Sequence, residues 1–308
     1  MARKEKPKMR TRLWFAFCAG VGLFGALPLN ATLADELPAL NDPATSAHLE
    51  GKFIWADLFT TDAVEAAHFY AGMFDWTPTT LSRDGRSYIL LKHDGRAVAG
   101  IVQRPANRSS GGPAARWVNY IAVSDLTRTL SVVVKSRGKV IAPAREFPRR
   151  GTQAIVADNE DAVIGLLHSS SGDTEDYQPE VGEWIWAELL TSQPEVAASF
   201  YRNVFGYEVT EISARKGNEH FVLAAGGFAR ASIGALPLKD DARPAWLGYV
   251  RVLSADKAAD RATALGGRVL VTPRLSQHGT LFAVVADPTG AAIAVIEFKP
   301  SKGSVPSP

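Results

Sequence analysis

Phe53–Phe74 reads FIWADLFTTDAVEAAHFYAGMF, and Trp184–Phe205 reads WIWAELLTSQPEVAASFYRNVF. At a constant offset of 131 positions, Trp55 meets Trp186, Asp57 meets Glu188, and Phe69-Tyr70 meet Phe200-Tyr201. Self-similarity at a fixed period decides architecture before any local structure does. Outward from these blocks, ARWVNYIAV (Ala115–Val123) pairs with PAWLGYVRV (Pro244–Val252). IVADNEDAVIGLLH (Ile155–His168) pairs with VVADPTGAAIAVIE (Val284–Glu297). The chain therefore reads as two homologous domains, residues 52–168 and 183–299. Residues 169–182 between them are polar and turn-rich and read as a linker. Residues 35–51 read as an irregular lead-in and 300–308 as a loose tail.

Each half carries a finer rhythm. Phe53–Phe59 alternates as a strand does. Thr61-Asp62 supplies helix-capping chemistry before AVEAAHFYAGMF. In that helix Val64, Ala67, Phe69, Tyr70, Met73 and Phe74 form the expected apolar face. Strands are expected at Ser87–Lys92 and Ala97–Gln103. After the Ser/Gly break at 106–114 come a strand (Val118–Val123), a helix (Leu126–Ser136) and three strands (Lys139–Ala142, Ala154–Ala157, Val163–His168). The unit is strand, helix, strands, given twice per domain. This predicts an α+β fold with a curved, mostly antiparallel sheet and helices on its outer face.

The first twelve residues carry six bases and one acid, and Leu13–Leu29 is an apolar run ending near Pro28. Small Thr32 and Ala34 then precede Asp35. A basic region, an apolar stretch and a small-residue exit predict a signal peptide over residues 1–34, cleaved near Ala34-Asp35, with an N-terminal membrane anchor as the alternative. The lone cysteine, Cys18, lies inside the apolar run. Losing residues 1–34 moves the formal net charge from +2 to −3 and removes the cysteine. That excludes thiol nucleophiles and thiolate ligands from the mature chain, and disfavours nucleic acid or anionic lipid as partners. Hydrophobic residues at 46% and charged residues at 21% exclude a disordered chain.

The helix endings HFYAGMFDW (His68–Trp76) and SFYRNVFGY (Ser199–Tyr207), the strands YIAVSD and YVRVLSAD, and the closing ADPTGAAIAVIEF (Ala286–Phe298) with its weaker partner ADNEDAVIGLLH carry a resemblance. Over residues 52–299 the chain resembles the vicinal oxygen chelate superfamily, which includes glyoxalases, extradiol dioxygenases and bleomycin-resistance proteins. The resemblance implies paired βαβββ modules around a cupped cavity in each domain. It also implies a divalent metal held by His and Glu at the first and last strands of the modules. Those positions here fall on Trp55, Gly100, Tyr120 and Gly165 in the first domain and on Trp186, Gly234, Tyr249 and Ala294 in the second. None is an ordinary metal ligand, so a metal is expected only outside the usual family positions.

Aromatic rings beside small residues leave two readings. One is a pocket for a planar or apolar small molecule, lined by those eight residues. The other is a cavity packed shut by its own Trp and Tyr rings. Asp57 and Glu188 share the face of Trp55 and Trp186 by strand alternation. They are the candidate general bases, or else structural acids paired with donors. His168 and Glu297 lie three positions beyond the ligand sites, which points them to the opposite face. His68 is expected at the surface; His220 and His278, in or beside expected loops, are with Glu219 the candidates for a displaced site in the second domain, though no ligand spacing supports one. Arg149 and Arg150 in FPRRGT either clamp an anion or stand solvated. The expected function is small-molecule binding by an exported, metal-free protein, monomer or homodimer. The alternative is a lyase or isomerase of the glyoxalase type using a relocated metal or a carboxylate base.

Overall fold

The computed structural model describes residues 37–83, 86–105, 115–213, 219–236, 243–276 and 279–299. The expected signal peptide with its cleavage site and Cys18, the Ser/Gly break, His278 and the tail lie outside the described residues. Among the described residues, no helix is long and apolar enough to cross a membrane.

The first half contains β1 (Phe53–Thr60), α1 (Ala63–Phe74), β2 (Thr77–Arg83), β3 (Arg86–His93), β4 (Arg96–Gln103), β5 (Arg116–Ala122), α2 (Leu126–Lys135), β6 (Lys139–Phe147), β7 (Gly151–Ala157) and β8 (Val163–Ser169). The second half repeats this with β9 (Trp184–Thr191), α3 (Pro194–Phe205), β10 (Glu208–Ser213), β11 (His220–Ala225), β12 (Phe228–Ala235), β13 (Ala245–Arg251), α4 (Ala255–Ala264), β14 (Arg268–Leu275), β15 (Leu281–Ala286) and β16 (Ala292–Ile296). Each half closes into one sheet of eight strands, ordered β2-β3-β4-β1-β5-β8-β7-β6 and β10-β11-β12-β9-β13-β16-β15-β14. The pairs β1–β4 and β5–β8 are parallel and the other pairs of the first sheet antiparallel. This is the mixed α+β architecture that the repeat implied. The edge strands β2 and β10 escape the hydrophobic pattern. TPTTLSR and EVTEIS pair on one side only and stand largely exposed, so nothing selects for apolar alternation.

Side-chain caps start three of the helices. Asp62 accepts from Glu65 N (3.0 Å), Asp125 from Arg128 N (2.9 Å) and Ser254 from Lys257 N (3.3 Å). Helix α3 starts instead with Pro194 in its first turn. On α1 the buried stripe is Ala63, Ala66, Ala67, Phe69, Tyr70, Met73 and Phe74. Val64, expected on that face, is 61% exposed; the stripe lies about one position over, where Ala63 and Ala66 turn inward.

The helices cover one face of each sheet, and those two faces meet. One core joins α1, β1, β3 and β4 to α4, β13, β15 and β16; its counterpart joins α2, β5, β7 and β8 to α3, β9, β11 and β12. Phe69 fits where Gly267 has no side chain, since a Cβ there would lie 2.6 Å from its Cε2. Phe200 does the same at Gly138, at 3.1 Å. Hydrogen bonds cross with the same pseudo-twofold logic. Tyr70 donates to Asp287 Oδ2 (3.0 Å) and accepts from Trp117 Nε1 (2.8 Å). Tyr201 donates to Asp158 Oδ2 (3.1 Å) and accepts from Trp246 Nε1 (2.8 Å). Trp76 Nε1 donates to Gly182 O (2.7 Å), and Tyr207 Oη to Gly51 O. The motifs that carry the family resemblance thus build the contact between the repeats.

This contact carries a pH signature. Burial pushes the Asp158 carboxyl up to about 6, against its hydrogen bonds from Glu160 N, Ala162 N and Tyr201. The folded state therefore holds a proton that the unfolded chain releases near pH 4. Its stabilisation is complete below about pH 4 and is lost as pH rises through about 6, a difference of about 3 kcal/mol. The thermal midpoint of Asp158→Asn is expected to depend less on pH between 4 and 7 than that of the parent. Parallel midpoint-versus-pH curves for the two proteins would refute this.

Candidate functional site

The family's ligand positions sit on the helix-free face of each sheet, and strand register brings them together. In the first sheet Trp55 pairs with Tyr120, Asp57 with Gly100, and Tyr120 with Gly165. Asp57 is 5% exposed and its Oδ1 accepts from Trp55 Nε1 (2.8 Å) and Tyr88 Oη (2.7 Å). Tyr120 donates to it as well. Burial pushes the Asp57 carboxyl up, and these donors with the nearby Arg150 charge oppose the shift. Burial first, then Asp57, holds the Tyr88 and Tyr120 phenols far above their usual range, so both remain donors.

The aromatic centre of this first cup is closely packed. A Cβ on Gly100 would overlap the Tyr88 hydroxyl, and one on Gly165 would overlap the Tyr120 ring. Leu37, Leu90, Phe147 and Leu167 complete the packing, with Leu40 against it. The lead-in closes the face from outside. Arg150 Nε donates to Pro38 O (2.7 Å), and the backbone of Leu40 and Asn41 donates to Ser171 Oγ (3.1 Å each). Of the two readings of Trp55, Gly100, Tyr120 and Gly165, the packed one describes this cup. Asp57 is arranged as a structural acid, and Arg150, read as an anion clamp or a solvated loop residue, is fully buried.

The second cup keeps the frame and changes the filling. Tyr249 pairs with Trp186 and with Ala294. Glu188 pairs with Ser232, as Asp57 pairs with Gly100, so Ser232 rather than Gly234 holds the place of Gly100. Gly234 pairs with His220 and lies beside the Glu188 carboxylate, which a Cβ would approach to 3.0 Å. His220 takes the place of Tyr88. Its Nε2 stands 3.7 Å from Glu188 Oε1, while Tyr249 Oη donates to Glu188 Oε2. Trp186 Nε1 turns to Ser232 Oγ (2.9 Å) instead of to the acid. Burial, then the Glu188 charge, pushes the Tyr249 phenol well above its usual range. Trp186 and Glu188 are only partly buried where Trp55 and Asp57 are buried, Phe282 and Ile296 are partly buried beside them, and among the described residues no counterpart of Leu37 joins their cluster. The sequence paired Glu188 with Trp186 and Tyr249. It set His220 beside a loop with Glu219 and His278, whereas His220 lies on β11, 132 positions after Tyr88 and so one step off the offset of the opening blocks.

A metal of the family type does not suit these residues. In the first cup Trp55, Tyr88 and Tyr120 point N–H and O–H donors at the acid, the reverse of a ligand set. In the second, Glu188 and His220 bring lone pairs, but among the described residues no three His, Cys, Asp or Glu side chains come together. His168 Nδ1 lies 3.0 Å from Val123 O, and Glu297 caps α4 through Ala255 N (2.9 Å), away from both cups.

Two tandem eight-stranded sheets, each with two βαβββ modules and an acid at the centre of its helix-free face, define a double vicinal-oxygen-chelate protein. The profile of the Glyoxalase/Bleomycin resistance protein/Dioxygenase superfamily matches residues 185–295. The chain is 32% identical over 264 residues to the putative glyoxylase CFP32 of Mycobacterium bovis, a match covering 84% of this chain and all of that protein. The chain belongs to that superfamily. It is also 28% identical to the anthracycline biosynthesis protein DauV of a Streptomyces species, over 80% of this chain and 92% of that one. Among solved structures, the Mn(II)-bound glyoxalase of Novosphingobium aromaticivorans shares the fold with a TM-score of 0.57 and 16% identity, covering 81% of this chain and 82% of that one.

Proposed function

We propose that the protein, exported by residues 1–34, binds a small planar aromatic or apolar molecule on the helix-free face of its second sheet. The observation that carries this is the contrast between two homologous cups. The first is packed by Tyr88, Tyr120 and the lead-in. The second leaves Trp186, Phe282 and Ile296 partly uncovered around Glu188. A flat ligand would stack on Trp186 and Phe282 and place a hydroxyl or N–H against the carboxylate. The relative named for anthracycline biosynthesis supports a polycyclic aromatic among the first compounds to try. Tryptophan emission during titration with planar phenols and quinones is expected to change saturably. Trp186→Phe should remove most of the change, and Glu188→Gln should weaken binding about tenfold or more. Equal responses in all three proteins would refute the site. Protein recovered from the exported fraction should begin at Asp35; a start at the initiating methionine would favour the N-terminal membrane anchor instead, and protein confined to the cytoplasm would remove export.

A second reading rests on the Glu188–His220–Tyr249 cluster. A carboxylate beside an imidazole can take and pass a proton, the central step of a lyase or isomerase. On this reading Glu188→Gln abolishes turnover of a bound compound while leaving it bound.

A further inference from the structure

Arg150 ends the turn between β6 and β7, where its N–H donates to Phe147 O (2.9 Å). From there its side chain runs into the first cup and is fully buried. The guanidinium Cζ lies 3.9 Å from the centroid of a Trp55 ring. Nε donates to Pro38 O, but Nη1 and Nη2, both buried, have no hydrogen-bond partner among the described residues. Asp57, the nearby carboxylate, is already engaged by Trp55 Nε1, Tyr88 and Tyr120. Unpaired N–H groups of a guanidinium taken out of water are costly. Cores seldom leave such groups without an acceptor.

We infer that Arg150 anchors an enclosed anion site in the first repeat, separate from the second cup. The ligand class is a small anion, with formate or acetate preferred. Stacking on Trp55 occupies the face of the guanidinium and leaves its Nη edge for the two oxygens of a carboxylate. The Leu37–Leu40 strap covers the site, and the two bonds to Ser171 Oγ hold that strap down. Exchange of the anion therefore requires the lead-in to lift.

The test uses the full chain in gluconate buffer, the bulkiest of the anions compared. Gluconate is replaced stepwise by formate, acetate or chloride at constant ionic strength. The thermal midpoint is expected to rise saturably by several degrees with formate or acetate. A smaller or equal rise with chloride still places a small anion at the site. Arg150→Lys keeps the charge but loses the fork, and should need at least about tenfold more carboxylate for half of its effect. Emission from Trp55 gives a second readout, with the saturable change absent in Trp55→Phe. Equal midpoints of the parent protein in all four anions would overturn the inference. So would an unchanged carboxylate response in Arg150→Lys.

Discussion

Asp287→Ala is expected to lower the unfolding free energy by about 3 to 5 kcal/mol, measured by urea denaturation. Asp287 is fully buried. Its Oδ1 accepts from Ala291 N (2.9 Å) and Thr289 Oγ1 (2.8 Å), and its Oδ2 from Tyr70 across the contact between repeats (3.0 Å). Truncation strands these donors at once in a dry site, where each unsatisfied group costs about 1 to 3 kcal/mol. Tyr70→Phe removes one donor and one acceptor, leaving Trp117 Nε1 without its partner, and should cost about 1 to 2 kcal/mol. Because the two residues share a bond, their losses should fall short of additive by about 1 kcal/mol in a double-mutant cycle. Asp287 and Tyr201 lie in separate clusters and should add. Strict additivity of Asp287 with Tyr70 would show that this network does not tie the repeats together.

This network also marks the limit of what the sequence revealed. The offset of 131 positions gave the duplication, and strand alternation placed Trp55, Asp57 and Tyr120 on one face, because those signals are local and periodic. The Tyr of each F-Y motif reads as helix core, yet its partner lies 217 positions away in one case and 43 in the other. Pairing at such a distance leaves no spacing to read. Arg150 misleads for the same reason: a turn arginine is ordinarily wet, and only the return of Pro38 and Leu37 over the sheet buries it. The glycines were legible as small and not as necessary, since their need comes from Tyr88 and Tyr120 on neighbouring strands.

That need gives the other large effect. Gly100→Ser is expected to cost at least about 3 kcal/mol, because its Cβ would occupy the volume of the Tyr88 hydroxyl and crowd Asp57 Oδ1. The ring would have to leave, and Asp57 would lose one of its donors in a site that excludes water. The second repeat shows how the same frame tolerates a serine there. Ser232 stands opposite Glu188, and the position of Tyr88 is taken by the smaller His220. Tyr88→His alone opens a cavity beside Asp57 and should cost about 2 to 4 kcal/mol. Combined with Gly100→Ser it transplants the second repeat's pair, so the double variant should be more stable than Gly100→Ser alone by at least about 1 kcal/mol. The losses then fail to add because one substitution supplies the space that the other requires. If Gly100→Ser unfolds with the parent, or if Tyr88→His only deepens its loss, the tight fit of Tyr88 over Gly100 is not what seals the first cup.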